Sequence, residues 1–408
     1  MNVTEIINNI FKNNLYALSL YARQIAGTLV LFIIARYLSV YDYGVFTSYK
    51  ALSSFILVLA NMGYESYILV SAQNNITKVK EKIALFIMNA FVLISLVLLC
   101  IPFSFAESKM LFALVFIRTF LDGSFFALIL PYFQASRKLK IISYINIVYA
   151  LCITIIAILS FIFKLSLTKF LIMNIAIGII NFIQCSYYSK IPYLKILKHI
   201  KISLKLVDKR ILSYMLINIC YIIYSQIQNV FVSTQVNKEQ AALYFAANTI
   251  AAIVMLLIGA QTSKLMPEFI DIPVEKAFMY LKKEVQKVNI ITFLIFIFFI
   301  IFGKFILKLL YAQDYYTNAY YVLLLLSLAN VFYGMGKIYI TYIMAKDNTN
   351  IIWKMQIVSI IISITSLTVT YKLGIYSAAL AYLLSAGYIG FAYMHKTKQL
   401  LKIQEKGE

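Results

Sequence analysis

Runs of about 20 apolar residues, separated by short polar or basic breaks, recur along the whole chain, and each is long enough to cross a bilayer as a helix. They predict spans near residues 13–38, 43–70, 83–105, 111–133, 141–163 and 168–189, and a second set near 211–234, 241–263, 288–311, 318–345, 352–371 and 375–395. The longest hydrophilic connection, Ser189 to Arg210, divides them six and six. The pattern therefore predicts an all-α polytopic membrane protein with twelve transmembrane helices in two six-helix lobes around a central cavity. Its parts are an N-terminal lobe over 1–190, a linker over 191–210, a C-terminal lobe over 211–395 and a basic tail over 396–408. In the linker Lys195, Lys198, Lys201, Lys205 and Lys209 recur every three or four residues with Leu and Ile between them, the mark of a basic amphipathic helix lying at a membrane surface. Lys276–Lys287 repeats that pattern in shorter form. Connections at Arg36–Tyr43 and Lys372–Ile375 are so short that tight hairpins are expected there.

Composition sharpens this picture. At 62% hydrophobic and 13% charged, 408 residues leave no room for a large soluble catalytic domain. The net charge of +21 is distributed by sidedness: 24 of the 37 Lys and Arg fall at the N-terminus, in every second loop or in the C-terminal tail. Cytoplasmic loops retain such residues, so both termini are expected on the cytoplasmic side. In a chain this apolar the charge points to anionic lipid rather than nucleic acid. Cys100, Cys152, Cys185 and Cys220 lie in or beside apolar runs without CxxC spacing, and His199 and His395 stand in basic segments; no metal site and no cofactor are expected. The first apolar run lacks a small-residue cleavage site and reads as a retained span.

Polar residues inside the spans carry the functional signal, because a charge at the bilayer centre costs about 2.5–3.5 kcal/mol and persists chiefly where it faces a protein interior or water. Tyr16, Ser19, Arg23 and Gly27 form one stripe in the first span. Lys50, Ser54, Asn61 and Glu65 form another in the second, and Arg118 and Asp122 stand one turn apart in the fourth, where they can pair. Asn218, Tyr221, Ser225 and Gln228 line one face of the seventh span, as Asn330, Tyr333, Lys337 and Thr341 do in the tenth. By contrast Ile290–Phe302 holds one threonine among Ile, Phe and Leu, and reads as lipid-facing. Lys304, Lys308 and Lys354 are expected to snorkel to headgroups, and most tyrosines to sit in interfacial belts. There is no GxxxxGK[ST], GxSxG or HExxH, and no long outer loop to hold a catalytic acid or base, so a secondary transporter fits better than an enzyme.

Several segments also resemble a known family. Ile34-Ala35-Arg36-Tyr37-Leu38 with Tyr41-Asp42-Tyr43-Gly44-Val45-Phe46, then Asn61-Met62-Gly63, then Phe133-Gln134-Ala135-Ser136-Arg137-Lys138, occur in the order found in Wzx-type oligosaccharide flippases. So do Ala242-Leu243-Tyr244-Phe245-Ala246-Ala247 and Lys372-Leu373-Gly374-Ile375-Tyr376-Ser377-Ala378-Ala379-Leu380-Ala381. These flippases belong to the multidrug/oligosaccharidyl-lipid/polysaccharide exporter (MOP) superfamily, which includes the MATE exporters. Ser39 and Ala242 stand where glycine is usual, and Gln228 where relatives often have aspartate, which removes a carboxylate that could couple a cation in the seventh span.

The resemblance implies a carrier that moves undecaprenyl-diphosphate-linked sugar repeat units, of an O-antigen, a lipopolysaccharide or a related polysaccharide, to the outer leaflet by alternating access. Each unpaired sugar hydroxyl costs about 4–8 kcal/mol in hydrocarbon, so such a substrate needs a polar cavity. Arg23, Arg118 and Lys50 are the candidates for the diphosphate, and Asn218, Tyr221, Gln228, Tyr333 and Lys337 for the sugars. Asp122 and Glu65 are candidates for ion coupling, although an inside-negative potential alone drives an anion outward at about 2.3 kcal/mol per charge per 100 mV. Expected partners are the lipid-linked oligosaccharide, membrane lipids, and a polysaccharide polymerase with its chain-length regulator; nucleic acid is not expected, and the carrier is expected to act as a monomer. A MATE-like multidrug exporter, a membrane-embedded glycan polymerase or ligase, and an inert scaffold are the competing readings.

Overall fold

A computed structural model describes residues 3–61, 108–121, 130, 133, 138–190, 209–311, 314–346 and 349–406. The described residues are almost entirely helical, without a strand. In chain order the helices are α1 (Val3–Tyr37), α2 (Val40–Asn61), α3 (Lys109–Thr119), α4 (Leu139–Ile162), α5 (Leu167–Ser189), α6 (Lys209–Gln235) and α7 (Lys238–Ala251). They continue with α8 (Ile253–Asp271), α9 (Val274–Tyr311), α10 (Tyr320–Ala345), α11 (Thr349–Val369) and α12 (Ile375–Lys406), with 3₁₀ turns at Asp314–Ala319 and Tyr371–Leu373. Among the described residues, 8 stretches are long and apolar enough to cross a membrane, the architecture of a multi-pass membrane protein. The span expected at 83–105, residues 191–208 of the linker, and the candidates Glu65 and Asp122 lie outside the described residues.

Helix ends follow local chemistry. Ser108, Ser166 and Asn237 each sit one residue before a helix in extended backbone and accept the N–H three residues on, at 3.3, 3.5 and 2.8 Å. The hairpin expected at Lys372–Ile375 is there: Gly374, at φ 58°, turns the chain between the 3₁₀ turn and α12.

Two differences from the sequence pattern stand out. The span expected at 241–263 is two helices meeting at Ala252, where the Met255 N–H bonds back only three residues to the Ala252 carbonyl. The neighbouring Ala251 carbonyl is taken from the side by the Asn330 amide at 2.9 Å, which stabilises the break. The amphipathic segment Lys276–Lys287, in turn, is the beginning of α9 itself, continuous with the span that follows. Ala277, Leu281, Val285 and Val288 bury its inner face, while Lys276, Lys282, Lys283 and Lys287 are exposed. Further along α9, Ile290, Phe293, Leu294, Ile301 and Phe305 are all exposed, as a lipid-facing helix requires.

The chain forms two compact units, Met1–Ser39 with Tyr49–Met215 and Val40–Ser48 with Leu216–Glu408. In the first, α1 packs along α4, and their contacts climb in the same direction: Ser19 with Asn146, Arg23 with Tyr149, Tyr37 with Phe161. Steps of four or more residues on one helix match similar steps on the other, so the two run parallel. The core of the second unit is α10 against α9 and α12, and the opening turns of α2 belong to this unit. There Tyr43 meets Tyr311 and Tyr316 edge-on at 6.0 and 6.1 Å, while Gly44 presses against the backbone of Lys238. A Cβ at Gly44 would lie 1.8 Å from the Lys238 carbonyl oxygen, whereas one at Gly27 would meet nothing within 4 Å. Gly44→Ala is therefore expected to destabilise the protein by at least about 2 kcal/mol, and Gly27→Ala to be neutral or to stabilise it by up to about 1 kcal/mol. Thermal unfolding of the two variants in detergent checks the contrast; equal melting temperatures would show that the α2–α7 approach is not tight.

Candidate functional site

The first unit brings Arg23 and Arg118 together, and the group that does so is one the sequence reading passed over. Tyr149, on α4 and only 3% exposed, presents its ring face to Arg23, whose Cζ stands 3.7 Å from the centroid. Its hydroxyl accepts a 2.8 Å hydrogen bond from Nη2 of Arg118 on α3, whose Cζ is 5.9 Å from the same centroid. A cation on an aromatic face contributes about 2 kcal/mol when desolvated, and a charge-assisted hydrogen bond is stronger than a neutral one. The result is a doubly cationic point inside a helical unit, with both guanidinium groups half-buried.

The surroundings are polar in layers. One turn below, Asn146 donates to Ser19 at 3.4 Å, and Ser19 donates to the Tyr16 carbonyl at 2.7 Å. Ser143, Asn146 and Tyr149 recur at every third position of α4, and this stripe was the signal available in the sequence. Lys50 lies half-buried on α2 within the same unit.

In the second unit Tyr221, Tyr333 and Lys337 converge. The Tyr333 and Tyr221 hydroxyls are hydrogen-bonded at 3.0 Å, and Lys337 Nζ stands 5.3 Å from the centre of the Tyr221 ring. Asn218 precedes Tyr221 by one turn of α6. Gln228 is elsewhere: 1% exposed, it donates to Ser363 on α11 at 3.1 Å. Other members of the expected polar stripes bond to helix backbone, between helices or within one. Asn330 bonds the Ala251 carbonyl and accepts from Tyr382 at 3.0 Å, and Thr341 donates to the Lys337 carbonyl at 2.8 Å. Glu284 on α9 was also missed. It is 2% exposed, accepts from Gln261 on α8 at 2.8 Å and pairs with Lys287, clasping the α8–α9 hairpin; the Tyr280–Glu268 hydrogen bond clasps it again further on.

No known family profile matches the chain, and no curated protein sequence does either. Solved structures do. A multidrug resistance MATE family transporter of the MOP superfamily, in an inward-facing conformation, superposes with a TM-score of 0.66 at 11% identity over 94% of this chain and 96% of its own. The lipid II flippase MurJ, inward closed, gives 0.68 at 18% identity over 94% of this chain and 87% of its own. A MATE protein in a bent conformation gives 0.60 at 12% identity over 97% and 96%. The chain has the fold of these membrane transporters. At such low identity the likeness speaks for architecture.

Tyr149→Phe keeps the ring beneath Arg23 and removes the acceptor of Arg118; Tyr149→Ala removes both. Losses of about 1–2 kcal/mol and about 3–5 kcal/mol are expected, respectively. Thermal unfolding in detergent measures them, and a Phe variant as damaged as the Ala variant would show that the ring face contributes nothing.

Proposed function

We propose that the protein is a flippase that carries an undecaprenyl-diphosphate-linked oligosaccharide repeat unit from the inner to the outer leaflet by alternating access. The observation that carries this reading is the convergence of Arg23 and Arg118 on Tyr149. Two guanidinium groups at one point suit a ligand with two adjacent anionic centres, and a diphosphate offers them with paired oxygens that a planar guanidinium fork can engage two at a time. Lys50 adds a third cation in the same unit. Tyr221, Tyr333 and Lys337, with Asn218, would receive the sugars, since aromatic faces and hydroxyls replace the water a glycan loses; Gln228, held by Ser363, would not. The transporter fold and the order of the Wzx-like segments support the reading; Asp122 and Glu65 are its candidates for ion coupling.

The likeness to MATE transporters favours a second reading, export of drugs. A cationic drug would be repelled by the doubly cationic point, which ranks this reading below the first.

A deletion strain separates the possibilities. Accumulation of lipid-linked repeat units on the cytoplasmic face is expected, with rescue by the wild-type chain. A double variant, Arg23→Gln with Arg118→Gln, is expected to restore less than about a tenth of surface glycan at equal protein level, since it removes two charge-assisted contacts. Accumulation on the outer face would indicate a polymerase. Normal glycan with raised sensitivity to cationic drugs would indicate an exporter.

A further inference from the structure

The second unit carries a cation of its own, Lys337, and its surroundings specify a ligand. Lys337 lies on α10 about four residues from the middle of that 26-residue helix, so about 6 Å along the axis at the usual rise. It is half-buried, and Asp42, Glu239, Glu268 and Glu284, the described acidic side chains of this unit, lie towards the ends of their helices or in the α8–α9 clasp. Among the described residues the recorded contact of its ammonium is the ring face of Tyr221. Such a contact holds a cation in place without neutralising it.

Two hydroxyls stand beside it. Tyr333, 2% exposed, and Tyr221 share one hydrogen bond between two O–H groups, so whichever way that bond runs one proton remains for another acceptor. Tyr333 and Lys337 are one turn apart on α10 and present the same face. An ammonium, a spare phenolic proton and an aromatic face together match a sugar ring bearing an anionic oxygen group: the ring lies on the aromatic face, and the charge meets the ammonium and the hydroxyl.

We propose that Lys337, Tyr221 and Tyr333 form a binding site for an acidic sugar, a carboxylate-bearing residue of the carried glycan. The site rests on the flippase reading for its biological ligand, but its chemistry is testable without it. A phosphate offers the same anionic oxygens, so the probes separate the two sources.

Purified full-length protein in neutral detergent is titrated with trigalacturonate, with the uncharged maltotriose, and with inorganic pyrophosphate. Trigalacturonate is expected to bind at least about tenfold tighter than maltotriose, the worth of one charge-assisted contact. Lys337→Gln is expected to bring it down to the maltotriose level, and Lys337→Arg to preserve it. Tyr221→Phe, which keeps the ring, is expected to weaken it severalfold, and serves as the test if Lys337→Gln does not fold. Pyrophosphate is expected to respond to Arg23→Gln with Arg118→Gln and to ignore Lys337→Gln. Equal binding of the two oligosaccharides, or trigalacturonate binding unchanged in both Lys337→Gln and Tyr221→Phe, overturns the acidic-sugar site. So does loss of pyrophosphate binding in Lys337→Gln, which would assign Lys337 to the diphosphate. Failure of pyrophosphate to bind the wild type would instead strike the diphosphate reading and leave the trigalacturonate result to stand on its own.

Discussion

A guanidinium group drawn into a lipid-spanning bundle sheds hydration worth several kcal/mol, and the protein must supply a substitute. In the first unit one phenol supplies part of that substitute for two arginines at once. Tyr149 gives one arginine its π-face and the other its oxygen, two chemically separate surfaces of one rigid side chain. The parallel run of α1 against α4 sets the height of Arg23 over the ring, and the Asn146–Ser19 bond one turn away fixes the register. The placement of the two guanidinium groups follows from that register.

The second unit handles polarity differently. Two of its buried polar groups tie helices to one another: Asn330 takes the carbonyl exposed where α7 gives way to α8, and Gln228 ties α6 to α11 through Ser363. The tyrosine and lysine group on α6 and α10 is the part directed elsewhere. Polar residues at helical spacing thus fall into two classes here, those that mend helix geometry and those that leave donors over.

Much of the architecture was legible in the sequence, because a period-free run of Ile, Leu and Phe about 20 residues long has few ways to fold in lipid. α4, α5, α10 and α12 begin within two residues of their expected positions. The break at Ala252 was not legible, since neither proline nor glycine marks it and its cause, Asn330, lies 79 residues away in sequence. Arg23 and Arg118 were legible as inward charges on energetic grounds alone. Tyr149 was hidden among 32 tyrosines that composition assigns to membrane interfaces, and only its place in the Ser143–Asn146–Tyr149 stripe sets it apart. Gln228 shows the opposite failure: spacing put it on a promising face, while burial and a long-range partner engaged its amide.

α9 adds a mechanical corollary. Its 38 residues make a rod about 57 Å long, nearly twice the hydrocarbon thickness, with bulky apolar side chains along the middle and four exposed lysines on its opening turns. Sliding that rod along the membrane normal would drag ammonium groups through acyl chains at about 2.5–3.5 kcal/mol each. The helix is thereby pinned in depth, free to lean but not to piston.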